Sequence, residues 1–136
     1  MSARSKARKR ALDLIFAAEA QGLTADDLLS EQLDAGEGPA NEYTLVLVRG
    51  VHEHRARLDE LISSYAEGWS LERLPAVDRN VLRIGIFEVL YVDDVPDAVA
   101  VSEAVNMARD LSTDESPGFV NGVLGHVARD KSKLVD

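Results

Sequence analysis

The chain contains no cysteine, which excludes disulfides, thiolate metal sites and thiol nucleophiles and suits a reducing cytoplasm. No apolar run approaches the ~20 residues of a membrane-spanning helix, since the longest, residues 81–90, is interrupted by Arg83 and Glu88. The basic start leads into an Ala/Leu stretch broken by Asp13 and Glu19, with no cleavage site of small residues, so a secretion signal is not expected. A phosphate-cradling glycine loop, a Gly-x-Ser-x-Gly elbow and a paired-histidine zinc motif are all missing, and catalysis is not expected. His52 and His54 stand two apart on a predicted helix and point to nearly opposite sides, so they cannot share a metal. His126 is isolated. The string Asp93-Asp94-Val95-Pro96-Asp97 imitates an acidic metal motif, but Pro96 puts it in a turn and no second acidic cluster lies nearby in sequence. Neither a metal nor a cofactor is expected.

What remains is helical. With 136 residues, length alone predicts one domain with one core. Ala7, Ala11, Leu14, Ile15 and Ala18 recur at the spacing of an amphipathic helix that should end near Gly22. Thr24 can cap a second, short helix that has Asp26 and Asp27 in its first turn. Gly36, Gly38 and Pro39 make a loop. From residue 42 to about 66 the apolar positions Leu45, Val48, Val51, Leu58, Leu61, Ile62 and Tyr65 continue a helical period, with a break expected either near Gly50 or in the charged stretch 52–57. Gly68, Trp69 and Ser70 interrupt it, and residues 71–74 can make a single turn before Pro75 opens the next helix.

Residues 77–91 are apolar on nearly every side, as a helix inside a bundle would be; their β-branched content makes strand the rival reading, which the length and lack of alternation oppose. Gly85 would cost this helix about 1 kcal/mol relative to alanine, a loss best explained by another backbone packing against it. A further helix carries Val101, Ala104, Val105, Ala108 and Leu111. Ser116 and Pro117 offer a cap and a first residue for the last one, and the charged tail beyond Arg129 should fray. The predicted fold is all-α, a bundle of about seven helices without repeats or convincing strands.

Charge is distributed unevenly. Arg4, Lys6, Arg8, Lys9 and Arg10 fall within the first ten residues, which hold no acid, while the remainder has ten basic and twenty-four acidic side chains; a net −9 therefore divides into +5 and −14. Such an arm points to a polyanion or an acidic partner. Cations in the first turns oppose the helix dipole, and Arg4/Arg8 and Lys6/Arg10 repel at i,i+4, so the arm does not stabilise its own helix. The bland reading is a solvated basic terminus. Against it, the charges run directly into the apolar stripe, so folding would fix where Arg8, Lys9 and Arg10 project. Phosphate contacts supply affinity, whereas discrimination among single-stranded RNAs needs stacking or base-edge contacts. Phe119 and Asn121, beside Gly118 and Gly122, are the candidates for those, with a core role as the alternative for Phe119.

Five stretches carry a family resemblance: Ala7-Arg8-Lys9-Arg10-Ala11-Leu12; Val77-Asp78-Arg79-Asn80-Val81-Leu82-Arg83-Ile84; Asp94-Val95-Pro96; Glu103-Ala104-Val105; and Ser116-Pro117-Gly118-Phe119-Val120-Asn121-Gly122-Val123-Leu124. In their order and spacing, over the full length, the chain resembles the NusB family of bacterial transcription antitermination factors. The resemblance implies two three-helix bundles in a single domain with a basic arm at residues 1–10. It implies a cytoplasmic protein that joins NusE, a small-subunit ribosomal protein, to bind boxA RNA. The resulting complex would load onto RNA polymerase and support transcription of ribosomal RNA operons.

RNA contact transfers by the same resemblance to Arg4, Lys6, Arg8, Lys9 and Arg10, and to Glu115 and Phe119. NusE contact transfers to Phe16 and Asp78, the latter offering a carboxylate to a basic partner. Phe16 replaces a tyrosine seen in some members, so only its packing role carries over. Gly118 stands where a lysine can occur. The rival function is a helical protein-interaction module that forms a homodimer or scaffold without touching RNA. A homodimer that covers the RNA surface is also compatible with the sequence.

Overall fold

The computed structural model describes residues 2–39 and 41–135. They form eight α-helices and one 3-10 turn, with no strand among them: α1 (Ala3–Gln21), α2 (Ala25–Asp34), α3 (Glu42–Glu53), α4 (Arg55–Tyr65), the turn Leu71–Arg73, α5 (Ala76–Tyr91), α6 (Asp97–Leu111), α7 (Ser116–Arg129) and α8 (Lys131–Leu134). The chain divides into two compact units, residues 1–54 and 55–136, a division of which length gives no hint.

In the first unit α1 packs on α2 and α3, and α2 on α3. The expected stripe of α1 is buried in full. Its ends are set by local chemistry: the Ser2 hydroxyl accepts the Ser5 N–H at 3.0 Å, and Gly22 closes the helix in the left-handed conformation, which glycine adopts without a Cβ clash. Thr24 caps α2 through the Asp27 N–H at 3.0 Å, and Asn41 caps α3 through the Tyr43 N–H at 2.8 Å. Of the two breaks foreseen within residues 42–66, the chain takes the charged one: α3 runs through Gly50 and stops at His54.

In the second unit α5 is buried along residues 80–90 and packs against α4, α6, α7 and α8. Gly85 is needed there, although the neighbour is a side chain and not the backbone expected: a Cβ at this position would lie 2.6 Å from Leu124 Cδ1 and 3.4 Å from the Ala104 Cβ. Leu124 is fully buried and has little room to retreat. Gly85→Ala gains about 1 kcal/mol of helix propensity and costs about 1–3 kcal/mol of overpacking. Gly85→Val has no such offset, and its chemical-denaturation midpoint should fall well below that of Gly85→Ala.

The tail does not fray at Arg129. It forms α8, which Lys131 Nζ holds to Asp97 at 3.0 Å. At the entry to α8 the Tyr65 hydroxyl donates to Asp130 Oδ2 at 2.7 Å. That bond, aided by the charges of Lys133, His126 and Arg129 and opposed by desolvation, holds the Asp130 carboxyl below the ordinary carboxylate range, and it raises the tyrosine in turn. A depressed carboxylate adds stability above its unfolded pKa and loses it as pH falls through the folded value. Tyr65→Phe should therefore reduce the stability lost on acidification across that window, as read from denaturation curves taken at successive pH values.

Candidate functional site

Each unit presents one candidate site. On the first, Lys6, Lys9 and Arg10 are exposed, and with Asp13 they follow the i, i+3, i+4, i+7 spacing of one helix face. Lys6 and Arg10 line a depression of about 410 Å³ together with Ala3, Pro39, Asn41 and Thr44. Its floor is tied down by two side chains of the α3 start: Asn41 Nδ2 donates to the Ala3 carbonyl at 3.1 Å and the Thr44 hydroxyl to the Ala7 carbonyl at 3.2 Å. Arg10 Nη2 donates to Gln32 Oε1 at 3.2 Å, which aims the guanidinium without neutralising it.

The other two arm cations behave differently. Arg8 is only 2% exposed, so it does not project as the continuity of the arm suggested. The reason is register: positions 8, 11, 12 and 15 share one helix face, and all four are buried. Arg8 and Arg4 both lie over the ring of Tyr43, at 5.7 and 4.2 Å from its centroid. This shared cation–π platform offsets the i,i+4 repulsion between them. Tyr43 escaped the sequence reading because its partners lie more than thirty positions away. Phe16 is 42% exposed and continues the strip of Lys9 and Asp13, two turns beyond Lys9.

On the second unit, Trp69, Arg73, Leu74, Pro75, Asp78, Thr113, Glu115, Ser116 and Phe119 surround a cavity of about 350 Å³. It gathers three residues named from sequence, Asp78, Glu115 and Phe119, and leaves out Asn121, which is exposed in a different depression beside α6. Asp78 is 4% exposed and its carboxylate is engaged rather than open: Oδ1 accepts the Ser112 hydroxyl at 2.6 Å and Oδ2 the Ser116 hydroxyl at 2.9 Å. Ser116 is consequently not a helix cap. Its hydroxyl turns to Asp78 and also accepts the Thr113 N–H at 3.2 Å, which fixes the start of α7. Glu115 occupies the cap position but makes no capping bond, leaving its exposed carboxylate at the cavity mouth.

Trp69 is the residue that sequence reasoning missed. It stands 50% exposed, edge-on to Phe119 with ring centroids 6.5 Å apart. Its only sequence signal was being the sole tryptophan, placed in an interruption between helices. Gly118 and Gly122 are exposed with no atom within 4 Å of a built Cβ, so α7 is open on that side. Among the described residues no three histidine, aspartate or glutamate side chains gather as a metal cluster, and no helix is long and apolar enough to cross a membrane.

The NusB family model matches residues 5–129. The chain belongs to the NusB family. The transcription antitermination protein NusB of Nocardioides sp. is 64% identical over 134 residues, covering 98% of this chain and 99% of that protein. Among solved structures, T. maritima NusB superposes with a TM-score of 0.83 at 34% identity, covering 96% of this chain and 93% of that one. A chain of the complex of antitermination factors NusB and NusE with double-stranded RNA matches with a TM-score of 0.79 at 24% identity, covering 93% and 96%; at that identity it shares the fold.

Proposed function

We propose that this NusB-family chain is a transcription antitermination factor that binds boxA RNA together with NusE, joins the RNA polymerase antitermination complex and supports transcription of ribosomal RNA operons. The observation that carries the reading is the set of three exposed cations, Lys6, Lys9 and Arg10, held in register at the start of α1 in a chain of net charge −9. Such an acidic body repels RNA at long range, so RNA must be taken where positive charge is concentrated. The mechanism is assembly, without a chemical step. Backbone phosphates are met by the cations, and bases by the aromatic cavity of the second unit.

NusE contact is assigned to Phe16, an exposed ring on the strip that carries Lys9. Asp78 acts through its hold on Ser112 and Ser116, which positions Glu115 and Phe119. A sedimentation experiment with the full chain, NusE and a boxA RNA tests this: a ternary complex tighter than either pair is expected. Binding of NusE with no effect of RNA at any concentration would reject the RNA part and favour a protein-interaction module.

A further inference from the structure

We propose that Trp69 and Phe119 hold one unstacked RNA base, with the edge of that base turned to Glu115. The inference deepens the RNA reading above and rests on it. Several features distinguish this corner from an ordinary patch of exposed side chains.

The first is rigidity. Gly68, at a φ of 79°, turns the chain after α4, and the Trp69 N–H donates to the Ala66 carbonyl at 3.1 Å. Arg79 Nη1 then donates to the carbonyls of Leu74 and Leu71 at 3.0 and 3.4 Å, fastening the following 3-10 turn to α5. Phe119 is set from the other side by the Asp78–Ser116 bond. A half-exposed indole on a fixed loop is preorganised for stacking, because the backbone that carries it is already ordered before binding.

The second is shape. The two rings are inclined at 62°, so they form two walls of a corner, of which the indole is half exposed. The cavity of about 350 Å³ falls in the range that holds small planar ligands.

The third is charge. Asp78 is satisfied by two hydroxyls, and the remaining charged groups at the cavity, Arg73 and Glu115, are of opposite sign. Asp78 keeps its charge, so with Arg73 and Glu115 the lining sums to −1; it repels a phosphate and leaves the neutral base as the part of an RNA that can enter. The Glu115 carboxylate repels the backbone and can accept a hydrogen bond from an exocyclic amine, such as that of cytosine, while Arg73 can meet a flanking phosphate. Stacking on aromatic rings tolerates any base, so discrimination between cytosine and uracil falls to Glu115.

Because Trp69 is the sole tryptophan, its emission reports on this corner alone. The test titrates the full chain with short single-stranded oligo(C) and oligo(U) RNA, following tryptophan emission and, separately, the anisotropy of labelled RNA. Quenching is expected to coincide with binding and to be stronger for oligo(C). Trp69→Ala should weaken binding about ten-fold or more, Trp69→Phe should restore most of it, and Glu115→Gln should narrow the difference between the two RNAs. RNA that binds with unaltered emission, or binds Trp69→Ala as tightly as the parent, overturns the stack and leaves the RNA reading standing. RNA that does not bind at all removes both. Quenching by an arginine-rich peptide but not by RNA overturns the proposal in favour of a protein side chain.

Discussion

Replacing Asp59 with alanine is expected to lower the stability of the second unit by about 3 kcal/mol, equivalent to about 12–24 °C in Tm. The target of this change is Arg83, which is 1% exposed in the middle of the apolar helix α5. Its Nε donates to Asp59 Oδ1 at 2.7 Å, its Nη2 to Asp59 Oδ2 at 3.2 Å and its Nη1 to Asn80 Oδ1 at 2.7 Å. A forked guanidinium–carboxylate pair thus joins α4 to α5. Truncating Asp59 takes two hydrogen bonds and the carboxylate away from a guanidinium in the middle of an apolar helix, and breaking such a buried pair commonly costs about 3–5 kcal/mol. The lower end applies because the Asp59 side chain is 24% exposed, so water can partly replace it.

Exchanging the whole pair, as Asp59→Leu with Arg83→Met, should recover part of the loss, since the apolar pair needs no partner while the buried Asn80 Oδ1 loses the Arg83 donor. Tryptophan emission during thermal unfolding measures both, because Trp69 belongs to this unit. A change within about 0.5 kcal/mol for Asp59→Ala would instead assign the pair the small energy of a surface ion pair.

The second large effect is on RNA. Five arm cations would give a slope of log affinity against log salt of roughly −3 to −4 for a single strand. Arg8 is buried against Tyr43 and Arg4 is stacked on the same ring, so three exposed cations remain, and the expected slope is about −2. Changing Lys6, Lys9 and Arg10 together to alanine should remove nearly all of that slope and weaken binding about ten-fold or more at low salt, while leaving the helix content intact. Arg8→Ala should act differently: it removes a buried cation–π contact, so its main effect is on stability, at about 1–2 kcal/mol. An unaltered slope in the triple variant would mean that phosphates are neutralised elsewhere.

These outcomes also show what periodicity can and cannot convey. The stripe of α1, its stop at Gly22 and the Thr24 cap all follow from spacing and local hydrogen bonding, and each is present. Arg8 obeys the same spacing, yet a cation reads as solvent-facing until a distant ring supplies a place for it. Arg83 was visible only as a flaw in an apolar run, because its partner Asp59 lies on another helix. Gly85 was legible as a close approach, but whether a backbone or Leu124 makes that approach depends on tertiary packing. Trp69 was illegible for a related reason: a residue in a loop has no period, and its significance arises from a ring fifty positions later. Local rules therefore delivered the helices and the position of the arm, while the aromatic corner and the ion pair required the fold.

The proposed function requires RNA contact both at the cations at the start of α1 and at the Trp69–Phe119 corner. Photo-crosslinking of a boxA RNA bound to the full chain with NusE, followed by mass spectrometry of the adducts, tests it most directly. Adducts are predicted both within residues 6–10 and at Trp69 or Phe119. Adducts confined to other parts of the chain, with both of these segments unmodified, would contradict it.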